Sequence, residues 1–402
     1  MESLMSMGGL CGWFRYRGVG AREALAAMVD RLYPPSVRSH DGDRELNHQH
    51  TESDVALAVV GPGDRALSFF GESISLVIFG APRWEDSAVT RESLGRVIAK
   101  AYREQGASCL SRLRGVFSLA LLDHRERQLL LAVDRLGTHT LYYQTHGETV
   151  LFGTRSRAIH AHPAATRELD PQAIYDYTRF HAVASPRSIF LQERKLSPAH
   201  FLLVTERDVR EDVYWVPTYE ENTRADFGDL VREFRSVLDR VVERAAAGGV
   251  TGAFLSGGTD SSTISGTLQK FGSNPAKVYS IGFDVPGYDE TEYAKAAASH
   301  FGLDHHVYYV TPRDVAKAVP LIASAFDEPF GNESAVAVYY CARAARADGV
   351  RILLGGDGGD ETFAGNSWYP QQLKLEAYRY VPGLLRRAVF ESIVLPIAQG
   401  LG

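Results

Sequence analysis

Between Leu255 and Ser262 the chain reads Leu-Ser-Gly-Gly-Thr-Asp-Ser-Ser. Four hydroxyls (Ser256, Thr259, Ser261, Ser262) and one carboxylate (Asp260) surround two glycines, Gly257 and Gly258. Such a loop between a strand and a helix brings backbone close to a ligand, and the N–H groups at the helix start favour an anion. Asp260 would repel phosphate unless a divalent cation lies between them. The chemistry implied is pyrophosphate held through a metal. A Walker loop is excluded, because no Lys stands beside the Ser/Thr.

A second run, Gly355-Gly356-Asp357-Gly358-Gly359-Asp360-Glu361, packs three carboxylates among four glycines. Acids so close repel one another unless a cation sits among them, and magnesium is the natural candidate. The alternative is an acidic turn capping the next helix. Ser280–Asp284 ends another strand, where Gly282 would let the backbone meet an adenine edge. Asp327-Glu328-Pro329-Phe330 offers carboxylates to a substrate amine, or caps and solvates.

The elements that must position these runs alternate. The pattern predicts a helix over 226–247, strand 253–255, strand 278–283, helix 290–301, strand 306–310, a helix over 313–326 kinked near Pro320, helix 335–348 and strand 350–354. This is the pattern of a doubly wound parallel sheet, in which ligands bind at the carboxyl ends of strands. Both glycine-rich runs follow strands, which places them on one rim. Upstream, to about residue 165, the chain reads mainly as β. Val55–Val60 and Ser73–Phe79 are apolar runs, 115–123 and 128–134 form a hairpin across 124–127, and 141–144 pairs with 149–153. Helices are expected over 21–32, 91–105 and 171–180, and the polar stretch Ser36–Asp54 reads as a loop. Arg187, Arg194 and Lys195 read as a solvated cationic face or, less simply, a functional one.

At 402 residues the chain is long enough for two domains, and its 45% hydrophobic and 23% charged content is ordinary for a globular protein. A net charge of −6 leaves no nucleic-acid footprint and no basic run for a membrane surface. Three scattered cysteines without metal-ligand spacing suit a reducing compartment, and no secretory signal or spanning segment is evident. A cytoplasmic enzyme is expected, of unreadable oligomeric state.

The first run is the signature of the ATP-pyrophosphatase loop. With Ser280-Ile281-Gly282-Phe283, Asp289–Ala294, Asp327–Phe330 and the second run, it resembles the synthetase domain of the glutamine-hydrolysing asparagine synthetases. Leu113–Phe117, Asp134–Gly137 and Leu141–Tyr143 are similar to that family's amidotransferase domain, and Ser185–Phe190 with Arg194–Pro198 to its connector. The resemblance implies an α/β protein: an N-terminal αββα Ntn-hydrolase-like sandwich (11–165), a connecting region (166–225) and an ATP-pyrophosphatase domain (226–402). It implies ATP-dependent activation of a carboxylate as acyl-AMP, release of pyrophosphate, then amidation. Leu255, Ser256, Gly257, Gly258, Asp260, Ser261, Ser262, Ile281, Gly282, Gly355 and Gly356 would bind ATP. Asp260 and Asp360 would hold Mg2+, with Asp357 and Glu361 as catalytic acids. Asp357 stands where the family commonly carries Glu.

The front half departs from the family. Leu10–Phe14 resembles the start that carries the nucleophilic N-terminal cysteine, but Cys11 gains a free α-amino group only if Met1–Leu10 are removed. The glutamine-pocket signature is absent near Ile78–Pro82. After Gly365 a short tail remains, without the family's Lys-bearing helical section, so the chain reads as a fragment or a shortened protein. Three readings follow: a synthetase fed by glutamine; a ligase of the β-lactam-synthetase or lasso-peptide-cyclase kind, using a substrate amine beside a structural glutaminase domain; or an inactive scaffold.

Overall fold

The computed structural model describes residues 8–33, 46–52, 54–220, 224–284, 289, 291–332, 334–363, 365, 368–387 and 392. It divides into two compact units. One holds the residues up to Asp226 together with Val310–Arg343. The other holds Phe227–Tyr309 and the residues from Ala344 onward.

The first unit begins with β1 (Gly9–Phe14), α1 (Ala21–Asp30), β2 (Leu46–Glu52), β3 (Val55–Gly61), β4 (Ala66–Phe70), β5 (Ile74–Trp84) and α2 (Arg91–Gln105). There follow β6 (Leu113–Asp123), β7 (Gln128–Val133), β8 (Tyr142–His146), β9 (Thr149–Gly153), α3 (Ser156–Ile159), α4 (Pro171–Phe180), β10 (Glu193–Lys195), β11 (His200–Val204) and β12 (Val209–Val213). The strands form two six-stranded sheets, ordered β10-β8-β9-β1-β3-β2 and β12-β11-β7-β6-β5-β4. All their pairings are antiparallel, and the β6–β7 and β8–β9 hairpins lie where the polar breaks put them.

Alternation along β5 explains the layering. Val77 and Phe79 face the core between the sheets with Leu10, Phe14, Leu57 and Leu131. Ile74, Leu76 and Ile78 face outward onto Leu94, Ile98 and Tyr102 of α2. Both faces are covered, so the strand reads as a continuous apolar run rather than an alternating one. Each Leu or Ile buried this way contributes roughly 1.5–3 kcal/mol. On the other sheet, Trp13 and Ala58 pack against Leu25 and Met28 of α1. The result is the four-layer αββα sandwich.

One expectation is corrected. Leu46–Glu52, read as loop, is a strand in continuous antiparallel register with β3, from Leu46↔Gly61 to Glu52↔Val55. It is polar because it is the sheet's edge: it pairs with β3 on one side only, and polar or charged residues are the usual protection of such an edge. Residues 36–45 and 53 of that stretch lie outside the described residues.

The second unit holds α5 (Phe227–Ala246), β13 (Thr251–Phe254), α6 (Thr259–Gln269), β14 (Lys277–Gly282), α7 (Thr291–Phe301) and β15 (Asp304–Tyr309). The chain then gives the first unit α8 (Pro312–Ala325), with Pro320 inside it, and α9 (Ser334–Ala347) as far as Arg343. It completes the second unit with β16 (Ile352–Leu354), α10 (Gly359–Phe363) and α11 (Trp368–Glu376). The sheet is parallel, in the order β15-β14-β13-β16. Val242 of α5, Leu268 of α6 and Ala294 and Ala298 of α7 cover Ala253, Leu255 and Val278. The strand order reverses at β13, because β14 and β15 extend to one side of it and β16 lies on the other. In doubly wound sheets a ligand crevice forms at such a reversal, which here falls at the carboxyl ends of β13 and β16.

Candidate functional site

The loop after β13 is shaped by what surrounds it. Leu255 is buried, and its N–H donates to the Tyr279 carbonyl at 2.9 Å, which fixes the strand end. Gly257 has φ +89°, and a Cβ there would stand 2.5 Å from Tyr293 Cβ and from Ala294 N of α7. Both facts require glycine. Ser256 and Ser261 tie the turn: Ser256 N donates to Ser261 Oγ at 3.2 Å, and the two hydroxyls lie 2.9 Å apart. Gly258 N donates to Ser256 Oγ at 3.3 Å. Helix α6 then starts from Gly258, which supplies no side-chain cap. The Ser262 hydroxyl is buried without a hydrogen-bond partner among the described residues.

The loop after β16 rests on the first. β13 and β16 are paired from Thr251↔Ile352 to Ala253↔Leu354, so their carboxyl ends emerge side by side. A Cβ at Gly356 would lie 2.8 Å from Asp260 Cβ and 3.0 Å from Ser261 N, and one at Gly359 would fall on the Asp260 carboxylate. The two runs, a hundred residues apart in sequence, therefore meet around Asp260.

The acids of the second loop do not crowd together as their spacing predicts. Asp357 leans over Gly355, and Asp360 over Gly365. Among the described residues, no three of Asp260, Asp357, Asp360 and Glu361 bring their oxygens within 4.8 Å of one another. Asp260 stands on α6 and Asp357 in the turn before α10, and only Asp360 and Glu361 belong to that helix. No described Lys, Arg or His forms an ion pair with any of the four. Magnesium takes one or two hard carboxylates of this kind and completes its shell with phosphate oxygens and water, so a pair of these acids rather than a cluster would be what such an ion uses. Beside Gly282 the ring of Tyr309 on β15 occupies the space a side chain would take, 2.6 Å from where a Cβ would stand. Ile281 is half-buried on the same strand. Tyr293, 70% exposed beside Gly257, escaped the sequence reading, although it lies within the quoted Asp289–Ala294 motif.

In the first unit Cys11 sits mid-strand, paired with Ala58 on one side and Gly153 on the other. It is fully buried in the layer under α1, and burial pushes its thiol well above the ordinary range. A thiolate nucleophile needs the opposite shift. Asp134, from the amidotransferase-like motif, is a buried acceptor for the N–H groups of Phe117 (3.2 Å), Leu136 (3.0 Å) and Thr138 (3.2 Å).

Two cation and acid readings are also corrected. Lys195 is not on a solvated face: it is 8% exposed, donates to the Val183 carbonyl and pairs with Glu328 at 2.5 Å. Glu328 also accepts from Ile189 N at 2.8 Å, while Asp327 pairs with Arg155 and Arg157. The carboxylates of Asp327 and Glu328 are thus engaged inside the first unit, where burial makes an unpaired charge costly.

An α/β protein with an antiparallel sandwich and a separate parallel sheet is the class these features define. The chain matches the Asparagine synthase family over residues 233–395 and the Glutamine amidotransferase domain over 84–215. It belongs to the asparagine synthase family. It is 28% identical to glutamine-hydrolyzing asparagine synthetase 1 of Bacillus subtilis over 304 residues, covering 75% of this chain and 47% of that protein. With asparagine synthetase 3 of the same organism it shares 26% identity over 397 residues, covering 90% and 64%. It is also 26% identical over 289 residues to amidase chry2 of Gibberella zeae, covering 67% and 42%. The chain spans about half the length of the first curated relatives it matches. No helix among the described residues is long and apolar enough to cross a membrane.

Proposed function

We propose that the chain carries the nucleotide-activating part of an ATP-dependent amide ligase, with 226–402 as its synthetase domain, 166–225 as connector and 11–165 as an amidotransferase-like domain. The observation carrying this is the seating of Asp260 against Gly356 and Gly359 at the point where the parallel sheet reverses. Ser256–Ser262 and Gly355–Gly356 would hold the phosphates, and Leu255 and Ile281 would flank the nucleoside. Asp260 and Asp360 would hold Mg2+, which neutralises charge on the phosphates when bound. A substrate carboxylate oxygen attacks the α-phosphorus, the bond to the β-phosphate oxygen breaks, and pyrophosphate leaves. An amine nitrogen then attacks the acyl carbon, the acyl–oxygen bond breaks, AMP leaves, and the nitrogen loses a proton. Asp357 and Glu361, both exposed at this rim, are the groups available to orient the amine or take that proton.

The test is pyrophosphate release with ATP, magnesium and aspartate, or with a peptide or amino-acid derivative. Asp260→Ala is expected to lower release at least about 100-fold, as loss of a preorganised electrostatic group does. Release unchanged in that variant would sink the assignment. On the nitrogen source, burial of Cys11 in mid-strand favours an amine of the substrate over ammonia from glutamine. Cys11→Ala is then expected to leave amide formation intact; glutamine hydrolysis that disappears in this variant would restore the glutamine-fed reading.

A further inference from the structure

Away from these loops, three side chains of the first unit converge without any role in the reading above. His50 and Glu52 are two residues apart on β2, so both project from the same face of that edge strand. His124 reaches them from the turn between β6 and β7, in the opposite sheet. His50 Nε2 lies 3.2 Å from Glu52 Oε1, and His124 Nδ1 lies 3.3 Å from Glu52 Oε2. The three ligand atoms fall within 4.8 Å of one another.

We infer that His50, Glu52 and His124 form a binding site for a late first-row divalent metal ion of the zinc class, pinning the edge strand of one sheet to the turn of the other. Four observations carry it. A tetrahedral ion with bonds of about 2.1 Å sets its ligands roughly 3.4 Å apart; each imidazole nitrogen already stands 3.2–3.3 Å from one of the two Glu52 oxygens, and all three ligand atoms lie within 4.8 Å, so a small turn of the exposed carboxylate brings one oxygen to that spacing from both. Among the described residues His50 Nε2 is buried with no hydrogen-bond partner, although a carboxylate oxygen is 3.2 Å away. Its ring is therefore not aimed at that oxygen, as befits two ligands facing a shared third atom. His124 is held on its far side by the buried Ser75 hydroxyl, 2.8 Å from Nε2, the outer support that ligating imidazoles usually have. His50 stacks on Phe70 of β4, with ring centres 5.5 Å apart and planes within 20°, which fixes its orientation. Two imidazoles and one carboxylate select zinc and its neighbours over magnesium or calcium. The Glu52 side chain is 51% exposed, so water can complete the coordination.

The experiment titrates the full chain with Zn2+ against a chromophoric chelator and follows thermal unfolding with and without the ion. One equivalent is expected to bind and to raise the melting temperature. His50→Ala and His124→Ala are each expected to weaken that equivalent at least 100-fold, Ser75→Ala about 10-fold, and the exposed His300→Ala not at all. Should either histidine variant fail to fold, the absorption of Co2+ bound to the wild-type chain serves instead: an intense visible band with one equivalent supports the site. A wild-type chain that binds no equivalent, or histidine variants that bind like wild type, would overturn it.

Discussion

Gly356 has the Asp260 side chain where a larger residue would put its own. Gly356→Val would set its Cβ against Asp260 Cβ and the Asp260–Ser261 backbone, and is expected to displace them and cut pyrophosphate release at least about 10-fold, more than the accompanying loss of stability accounts for. Parallel activity and melting measurements check this; equal loss of both would make the glycine merely structural. Two histidines set an acid limit. Burial, with Arg65 nearby, holds His139 down to about 4, and burial does the same for His162. Their unfolded imidazoles take up protons near 6.5, so between about pH 6.5 and 4 the unfolded state binds more protons and stability falls as pH falls. The slope is at most about 1.4 kcal/mol per pH unit for each, measurable by urea unfolding at pH 7 and 5; a His162→Asn chain should show a shallower slope. At this scale the sequence disclosed the turn between β13 and α6, because glycine and hydroxyl spacing encodes a loop locally. It did not reveal that Lys195 and Glu328 pair, or that Tyr309 fills the space beside Gly282, because those meetings depend on which elements become neighbours.

Between elements, Lys195 ties β10 to Glu328 in the segment joining α8 and α9. Glu328→Ala strands the buried Lys195 ammonium and is expected to cost about 3–5 kcal/mol, whereas Lys195→Met combined with Glu328→Leu should cost less than the single change. A double-mutant cycle in denaturant measures the difference, and equal losses would show that the charge pair is not the tie. Helix α2 was legible from end to end, since Leu94, Ile98 and Tyr102 keep helical spacing and Gly106 stops it with φ +59°. Strand β2 was not legible. An edge strand with His48, Gln49, His50 and Thr51 lacks the apolar alternation that marks a half-buried strand, and its identity comes from β3 beside it.

For the whole molecule, the sequence showed two regions of different texture, β-rich and then alternating, because each texture repeats over many residues. It did not show that Val310–Arg343 returns to the first unit, a fact carried by the ion pairs of Asp327 and Glu328 with Arg155, Arg157 and Lys195. A fragment ending at Asp226 leaves those three cations without their carboxylates. It is expected to melt at a lower temperature, or less cooperatively, than the first unit in the full chain, as differential scanning calorimetry would record. The same arrangement bears on birth at the ribosome. At about 5–20 residues per second, the opening unit must wait on the order of ten seconds after its first stretch emerges before the closing segment is made. During that interval the second unit's β13, β14 and β15 have already been synthesised. Maturation of the leading half is thereby timed by translation of the trailing half, so slow codons between 227 and 343 would lengthen the exposure of an incomplete sandwich to chaperones and proteases.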